Sequence, residues 1–486
     1  MVGGRVRRFA VGGMVIALAC VGAARIPSLA SDTSSASAGV RPAASTPLCL
    51  AGQACVAVDG DVALGSATRK ATGFLHGFGS ATSPARIAAL RPTSWRGSGG
   101  QSQQTQTSLY ASTTTEILSD YWTRATYDPK RGGGRLPWDD WNGYSNFVTN
   151  FVRTAKQQGW APTYWEVQNE PDSWLGYAPP VHATIAQILQ TFQVGYAAVK
   201  RADPTAKVIG PSLSGFLERH NPARPELLDM TTFLDFSARE GLHWDAIAWH
   251  ETEPDYIPPG ERRPEAIPGH VARMRDMLRA RPQLGHPTIF INEYMYPANI
   301  DVPGWRVAYM AALEQANVDM ASMSCPLASN GDLGCFEPSL DRLLANDGET
   351  PRPGYWVVQF YANMLGQRLA TWSSDAHLAA FATRLSSGSG PVQVLLGRDV
   401  TCTTAVNPLC HDPLSATPPP MNLTVAVRLG GGNRSAVVAI EHFPDADRTM
   451  LLPEAPRFVT VPVVDGIARV PVNNFTDGEA YALTIV

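Results

Sequence analysis

Short apolar runs alternate with helical patterns over most of the chain. Phe74 to Gly79 opens the series of apolar runs, followed by Ala89 to Arg96, Thr115 to Asp120 and Tyr164 to Glu170. Lys207 to Pro211, Trp244 to His250, Pro287 to Tyr294 and Val318 to Ser322 complete it. Between them lie stretches with helical spacing. Trp141 to Gln158 repeats Phe147, Phe151 and Ala155 and meets a stop signal at Gly159; Ile185 to Val199 is closed by Asp203-Pro204. Leu227 to Ala238, Val271 to Arg279, Val307 to Ala316 and Tyr355 to Leu365 follow the same pattern. Strand–helix units repeated in this way predict an α/β protein, a (β/α)8 TIM barrel over 73–368. After about Leu369 the texture changes to short alternating runs, among them Val392 to Leu396, Leu423 to Val427 and Ala436 to Ile440. They predict a C-terminal all-β sandwich over 369–486, with Gly430-Gly431-Gly432-Asn433 turning a hairpin. Residues 49–72 contain further strand-like segments. No internal repeat of fixed period appears.

Two of the barrel runs end in a carboxylate. Tyr164-Trp165-Glu166-Val167-Gln168-Asn169-Glu170 is stopped by Pro171, and Pro287-Thr288-Ile289-Phe290-Ile291-Asn292-Glu293-Tyr294 is a short apolar run ending in the Glu293 carboxylate. The carboxyl ends of barrel strands are where reacting groups are displayed. A strand-ending Glu also caps helices, and that plain explanation suffices for one of them alone. Two, on the fourth and seventh strands, form the apparatus of glycoside hydrolysis: one carboxyl protonates the leaving oxygen, the other attacks the sugar or activates water. Glu170, flanked by Trp165, Trp174 and the Asn169 amide, is placed for the raised proton affinity a general acid needs.

Trp165-Glu166-Val167-Gln168-Asn169-Glu170-Pro171 resembles the acid/base strand of the clan A retaining glycoside hydrolases, and Ile291-Asn292-Glu293-Tyr294 resembles their nucleophile strand. The closest pattern is glycoside hydrolase family 39, the β-xylosidase and α-iduronidase family, or an unclassified relative; it covers residues 73–370. The resemblance implies Glu170 as general acid and base, Glu293 as nucleophile, and Asn169 on the sugar's 2-hydroxyl. It places His250 in the pocket, and it implies that the strands before Phe74 complete the β domain. Arg96 and His76 end strands where they can serve the pocket, Arg96 by keeping Glu293 ionised; Trp174 and Tyr294 complete the candidate substrate contacts. For His250 the plain alternative is a core-edge histidine, and for Arg96 a surface pair. Trp95, Trp138, Trp141 and Trp249 also lie near strand ends, where a flat ring complements a pyranose C–H face, although most tryptophans are packing. No cofactor or metal is expected, and the partner is an oligo- or polysaccharide. The rival is a catalytically silent barrel whose β domain binds cell-wall polysaccharide.

Two positions depart from the family. The sixth strand continues His250-Glu251-Thr252 where the family commonly has His-x-Tyr, and the eighth ends Met323-Ser324-Cys325-Pro326 where clan members often place a Trp beneath the sugar. Both touch sugar recognition, so the identity of the sugar stays open.

Other motifs fail on inspection. His250-Glu251 begins a zinc protease motif, but position 254 is Pro. Arg131-Gly132-Gly133-Gly134-Arg135 lacks the Lys-Ser/Thr of a phosphate loop, and there is no Gly-x-Ser-x-Gly elbow. A net charge of −4 without any basic tract argues against nucleic acid. Arg5, Arg7 and Arg8 ahead of an apolar run to Ala24 read as a secretory signal over 1–30, with a small-residue cleavage site at Ser28-Leu29-Ala30. An uncleaved anchor is the alternative. Residues 31–48 read as a disordered linker, and no later stretch is apolar for long enough to cross a membrane. Export to the extracellular space then explains the cysteines. Cys20 leaves with the signal, and Cys49/Cys55, Cys325/Cys335 and Cys402/Cys410 form three close pairs, expected as local disulfides. Oligomeric state is not legible.

Overall fold

The computed structural model describes residues 48–76, 78–126, 136–172, 183–252, 257–258, 261–296, 299–300, 302–325, 338–385, 390–400, 418–430, 432, 434–446 and 449–486, the side chains of 123–126 excepted. The proposed signal, nearly all of the linker, Trp174, Tyr256, the 131–135 loop and Cys335, Cys402 and Cys410 lie outside them.

Strand β1 (Cys55–Ser66) precedes the barrel. The barrel strands are β2 (Phe74–Leu75), β3 (Ser94–Gly97), β4 (Thr113–Ile117), β5 (Tyr164–Glu166), β6 (Lys207–Leu213), β7 (Ala246–Glu251), β8 (Thr288–Tyr294) and β9 (Met320–Met323). Each pairs in parallel with the next, in chain order. The ring closes through one parallel bridge, Gly73 to Ser322, and the Met323 N–H bonds to the Gly73 carbonyl at 2.9 Å. Glycine is required there, because a Cβ on Gly73 would meet the Ala321 carbonyl oxygen at 2.0 Å. Around the barrel lie α1 (Pro84–Ala89), α2 (Gly100–Thr107), α3 (Ser119–Thr126), α4 (Trp141–Gln157), α5 (Ile185–Ala202), α6 (Met230–Glu240), α7 (Ile267–Arg279), α8 (Pro303–Ala316) and α9 (Pro353–Asn363).

Local chemistry fixes the helix ends. The Asp140 carboxylate caps α4 through the Gly143 N–H at 2.8 Å, and Thr184 with Gln187 forms a reciprocal box at the start of α5. Inside the barrel, Tyr164, Ile209, Ala246, Ala248, Phe290 and Met320 form an apolar plug separate from the helix-facing core. Among the described residues no helix is long and apolar enough to cross a membrane.

The sequence expectation shifts in three barrel segments. Ala89 ends α1, so the second strand begins only at Ser94. The third strand stops at Ile117, because Ser119 already opens α3. The fourth is regular only to Glu166, so Glu170 stands four residues beyond it and not at its last position.

The β module contains β10 (Gln367–Ser373), β11 (Leu378–Arg384), β12 (Val392–Arg398), β13 (Met421–Arg428), β14 (Ser435–Phe443), β15 (Arg457–Val464), β16 (Ile467–Phe475) and β17 (Ala480–Ile485). The N-terminal β1 belongs to it, antiparallel to β10 and parallel to β13. Where a sandwich of two separate sheets is expected, the ladder closes on itself as nine strands around one apolar core. At β10/β11 and β15/β16 that ladder is only two residue pairs long, so continuity is thinnest at these turns. The expected glycine-turn hairpin is also corrected: β13 pairs with β1 and β16, β14 with β15 and β17, and the glycine segment crosses between non-neighbours.

Candidate active site

The carboxyl ends of the barrel strands bring Glu170, His250 and Glu293 together. His250 Nδ1 stands 2.8 Å from Glu170 Oε1 and 3.8 Å from Glu293 Oε2. One oxygen of each carboxylate and the imidazole nitrogen all lie within 4.8 Å of one another. Both glutamates keep a sliver of exposed side chain, 12% and 15%, while His250 has none. The carboxylates therefore face solvent across an inner wall.

Arg96 forms that wall. Its Nη1 donates to Glu293 Oε1 at 2.6 Å, and its Nη2 to Asn169 Oδ1 at 2.6 Å. Nε and Nη2 hold Glu166 as a two-pronged pair at 2.7 and 2.6 Å. Arg96 and Glu166 are fully buried, so each charge depends on the other. Asn292 Nδ2 donates to Glu166 Oε2 at 3.1 Å and to Ser212 Oγ at 2.9 Å.

Backbone irregularities aim these groups. In β8, Ile291 pairs with Trp249 but Glu293 pairs with His250, a one-residue offset; the same extra residue appears against β9. This bulge turns two successive residues, Asn292 and Glu293, toward the Arg96–Glu166 network. Glu170 takes a left-handed backbone (φ 43°), as do Ser212 (53°) and His76 (55°). Non-glycine residues there are uncommon and gather at functional sites. Past Glu166 the chain stays attached without a regular ladder: Asn169 N–H bonds to Ser119 Oγ (3.0 Å) and Glu170 N–H to the Ser212 carbonyl (3.0 Å). Asp172 receives Ser214 through N–H (2.9 Å) and Oγ (3.0 Å).

The electrostatics follow from burial and partners. Burial pushes the Glu293 carboxyl up; His250 and Arg96 pull it back, Glu170 opposes them, and it stays above the usual carboxylate range. For His250, burial alone would lower the proton affinity, but Glu293 and Glu170 outweigh it and the ring is raised. Arg96 is likewise penalised by burial and rescued by Glu166 and Glu293, so it remains a cation. The Glu170, His250 and Glu293 atoms are close enough for one ion, but Arg96 already neutralises Glu293 there.

Of the candidate residues, Glu170, Glu293, Asn169, His250 and Arg96 converge. His76 sits just past β2, half-buried, its carbonyl taking the Trp95 indole N–H. Tyr294 is a correction: alternation from Glu293 turns it outward, where it is fully buried and donates to the Ala71 carbonyl at 2.6 Å. It packs on Tyr309 and does not line the pocket. Trp95, Trp165 and Trp249 are core residues too, whereas Trp138 and Trp141 keep partial exposure. Met323, in the segment where clan members often place a Trp beneath the sugar, is fully buried with its sulfur 3.0 Å from Arg306 Nη1. Sequence reasoning missed Glu166, Asn292 and Ser212 as members of the site. Glu166 carried a signal: a carboxylate in the middle of an apolar strand demands a buried cation.

No family model matches the sequence, and no curated protein does. Solved structures do match. A Neocallimastix frontalis protein, N2152, superposes with a TM-score of 0.67 at 19% identity, over 89% of this chain and 99% of that one. A GH39 enzyme from Xanthomonas axonopodis pv. citri gives 0.60 at 16% identity (89% and 97% covered). A monomeric beta-xylosidase from Caulobacter crescentus CB15 gives 0.58 at 14% identity (89% and 99% covered). The match spans barrel and β module together, so the chain has the fold that these proteins share.

Proposed function

We propose that this protein is a retaining glycoside hydrolase, with Glu170 as acid and base and Glu293 as nucleophile. The observation that carries this reading is the spacing of the two carboxylates, whose oxygens approach within 4.8 Å at the open face of the barrel. Retaining enzymes hold their carboxyl groups roughly 5–5.5 Å apart, whereas inverting ones leave about 6.5–9.5 Å for a water. The fold shared with a beta-xylosidase and a GH39 enzyme supports the same reading.

The atoms divide the work. Arg96 occupies Glu293 Oε1, so Oε2 attacks the anomeric carbon. The bond to the leaving oxygen breaks as the proton held between His250 and Glu170, 2.8 Å apart, passes to that oxygen. A water then attacks the same carbon, the ester to Glu293 breaks, and the water's proton returns to Glu170. Asn169 has its Oδ1 fixed by Arg96, which turns its NH2 to the sugar's 2-hydroxyl, a contact that strengthens in the transition state.

For the sugar we infer a cell-wall glycan and a pentoside, β-xyloside first. With Met323 buried and no Trp in the sequence between β9 and α9, the tryptophan platform that suits a fully equatorial hexose is missing from that segment. Export is inferred from residues 1–30 and from disulfide-bonded Cys49, Cys55 and Cys325. The test is kcat/KM for matched aryl glycosides and cell-wall polysaccharides with Glu170→Gln as control. Turnover that survives this substitution unchanged on a poor leaving group contradicts the assignment.

A further inference from the structure

Behind β7, on the side away from the pocket, lies a charge cluster the reaction does not use. Glu251 follows His250 directly, and strand alternation turns it outward. Its Oε1 accepts the Trp249 indole N–H at 2.6 Å and stands 2.8 Å from His270 Nδ1. The other ring nitrogen, His270 Nε2, is 3.4 Å from Glu261 Oε2, an ion-pair contact short of hydrogen-bond geometry. His270 has only 1% of its surface exposed and stacks on Phe216 at 4.7 Å. Arg273 of α7 pairs with the same Glu261 oxygen at 2.8 Å and with Glu218 at 3.2 Å, its guanidinium over Phe216.

This arrangement belongs to the position where the chain departs from its family pattern. Glu251 stands inside the expected His-x-Tyr, and a buried carboxylate there needs a cation behind the strand. His270 supplies it from α7. The Glu251 carbonyl also receives the Met295 N–H at 3.1 Å, so the residue braces the ends of β7 and β8 together. These strands carry His250 and Glu293, which are partners across the ladder just past the β8 bulge.

We propose that His270, as an imidazolium between Glu251 and Glu261, is a positioning residue that braces the end of β7 and so keeps His250 aligned on Glu170. The inference rests on the glycosidase reading for its consequence and on geometry for the brace itself. Burial alone would lower the proton affinity of His270; Glu251 and Glu261 outweigh it against Arg273, and it rises to about 9. The brace is therefore charged at neutral pH and discharges as pH rises through that value. Glu261, held below the usual carboxylate range chiefly by His270 and further by Arg273, stays ionised throughout.

The experiment is the pH profile of kcat/KM on an activated aryl glycoside, whose departure needs little protonation, for wild type, His270→Gln and Glu261→Gln. We expect wild type to decline on the alkaline side with a midpoint near 9. His270→Gln is expected to lose about ten-fold at neutral pH, mostly in kcat, and to lack that decline. In Glu261→Gln, which alters a half-exposed carboxylate and leaves the core intact, the midpoint moves down. Amide exchange of residues 247–252 should speed up in His270→Gln, and in wild type above the midpoint after correction for intrinsic rates. An unchanged wild-type decline in both variants, or unchanged exchange of the β7 end, overturns the brace. If wild type cleaves no glycoside at all, the glycosidase reading fails, and exchange alone decides the brace.

Discussion

The Arg96 guanidinium meets Glu293 Oε1 at 2.6 Å with no exposed surface of its own. A buried cation held on one oxygen leaves the other oxygen for chemistry and opposes the burial that pushes the Glu293 carboxyl up. A carboxylate nucleophile works only ionised, so with Glu293 in the proposed role activity should fall as pH drops through its raised pKa. The acid limb of kcat/KM should thus lie above the ordinary carboxylate range. Arg96→Met should move that limb further up and cost at least about a hundred-fold at neutral pH, as loss of a preorganised charge does. An acid limb left in place in the variant contradicts this role.

The two glutamates should fail differently. Glu293→Ala should lose turnover with every leaving group, because no covalent intermediate forms. Glu170→Ala should still release activated phenols in the first step, and azide should then restore the second. Azide rescue of Glu293→Ala with a retained product, or of Glu170→Ala with an inverted one, means the roles are exchanged.

How much of this was legible in the chain follows from the kind of signal each residue carries. Glu170 and Glu293 close apolar runs, the first against Pro171, so the pattern along the chain exposes them. The convergence of His250 and Arg96 needs the barrel to bring distant strand ends together; the resemblance pointed to His250, and Arg96 was legible only as a cation at a strand end. The successive polar residues Asn292 and Glu293 interrupt the apolar run of β8, but the offset itself is created by the pairing partner and is not legible from one strand alone. The same limit hid the closure of the β module, since two-pair contacts at β10/β11 and β15/β16 are decided by packing. Tyr294 shows the converse error, adjacency to a reacting residue taken for presence in the pocket when strand alternation sends it to the opposite side.

A structural clamp predicts a stability effect without a catalytic one. Glu314 of α8 is buried and accepts Thr68 N–H (3.1 Å), Arg69 N–H (2.8 Å) and the Tyr361 hydroxyl (2.8 Å), tying the segment after β1 to the barrel. Glu314→Ala leaves these donors unmet and should cost about 3 kcal/mol in urea unfolding. Activity of the folded fraction should be unchanged. A loss below about 0.5 kcal/mol shows that the clamp is idle.

The Cys49–Cys55 disulfide closes a short loop at the edge of the β module. Its removal by a double serine substitution should cost no more than roughly 2–3 kcal/mol, because short loops constrain the unfolded chain little. Peptide mapping without reduction should join Cys325 to Cys335 and Cys402 to Cys410; any link between different pairs contradicts this.

The central claim is that Glu293 forms a bond to sugar while Glu170 serves as acid and base. Its most direct test is mass mapping of the intact protein after incubation with an activated 2-deoxy-2-fluoro glycoside of whichever sugar it cleaves best. Fluorine at carbon 2 slows both steps, while the activated leaving group speeds only the first, so the ester accumulates. The account predicts one sugar on the peptide that contains Glu293. A sugar on Glu170 or any other residue, or none despite turnover of the parent glycoside, contradicts it.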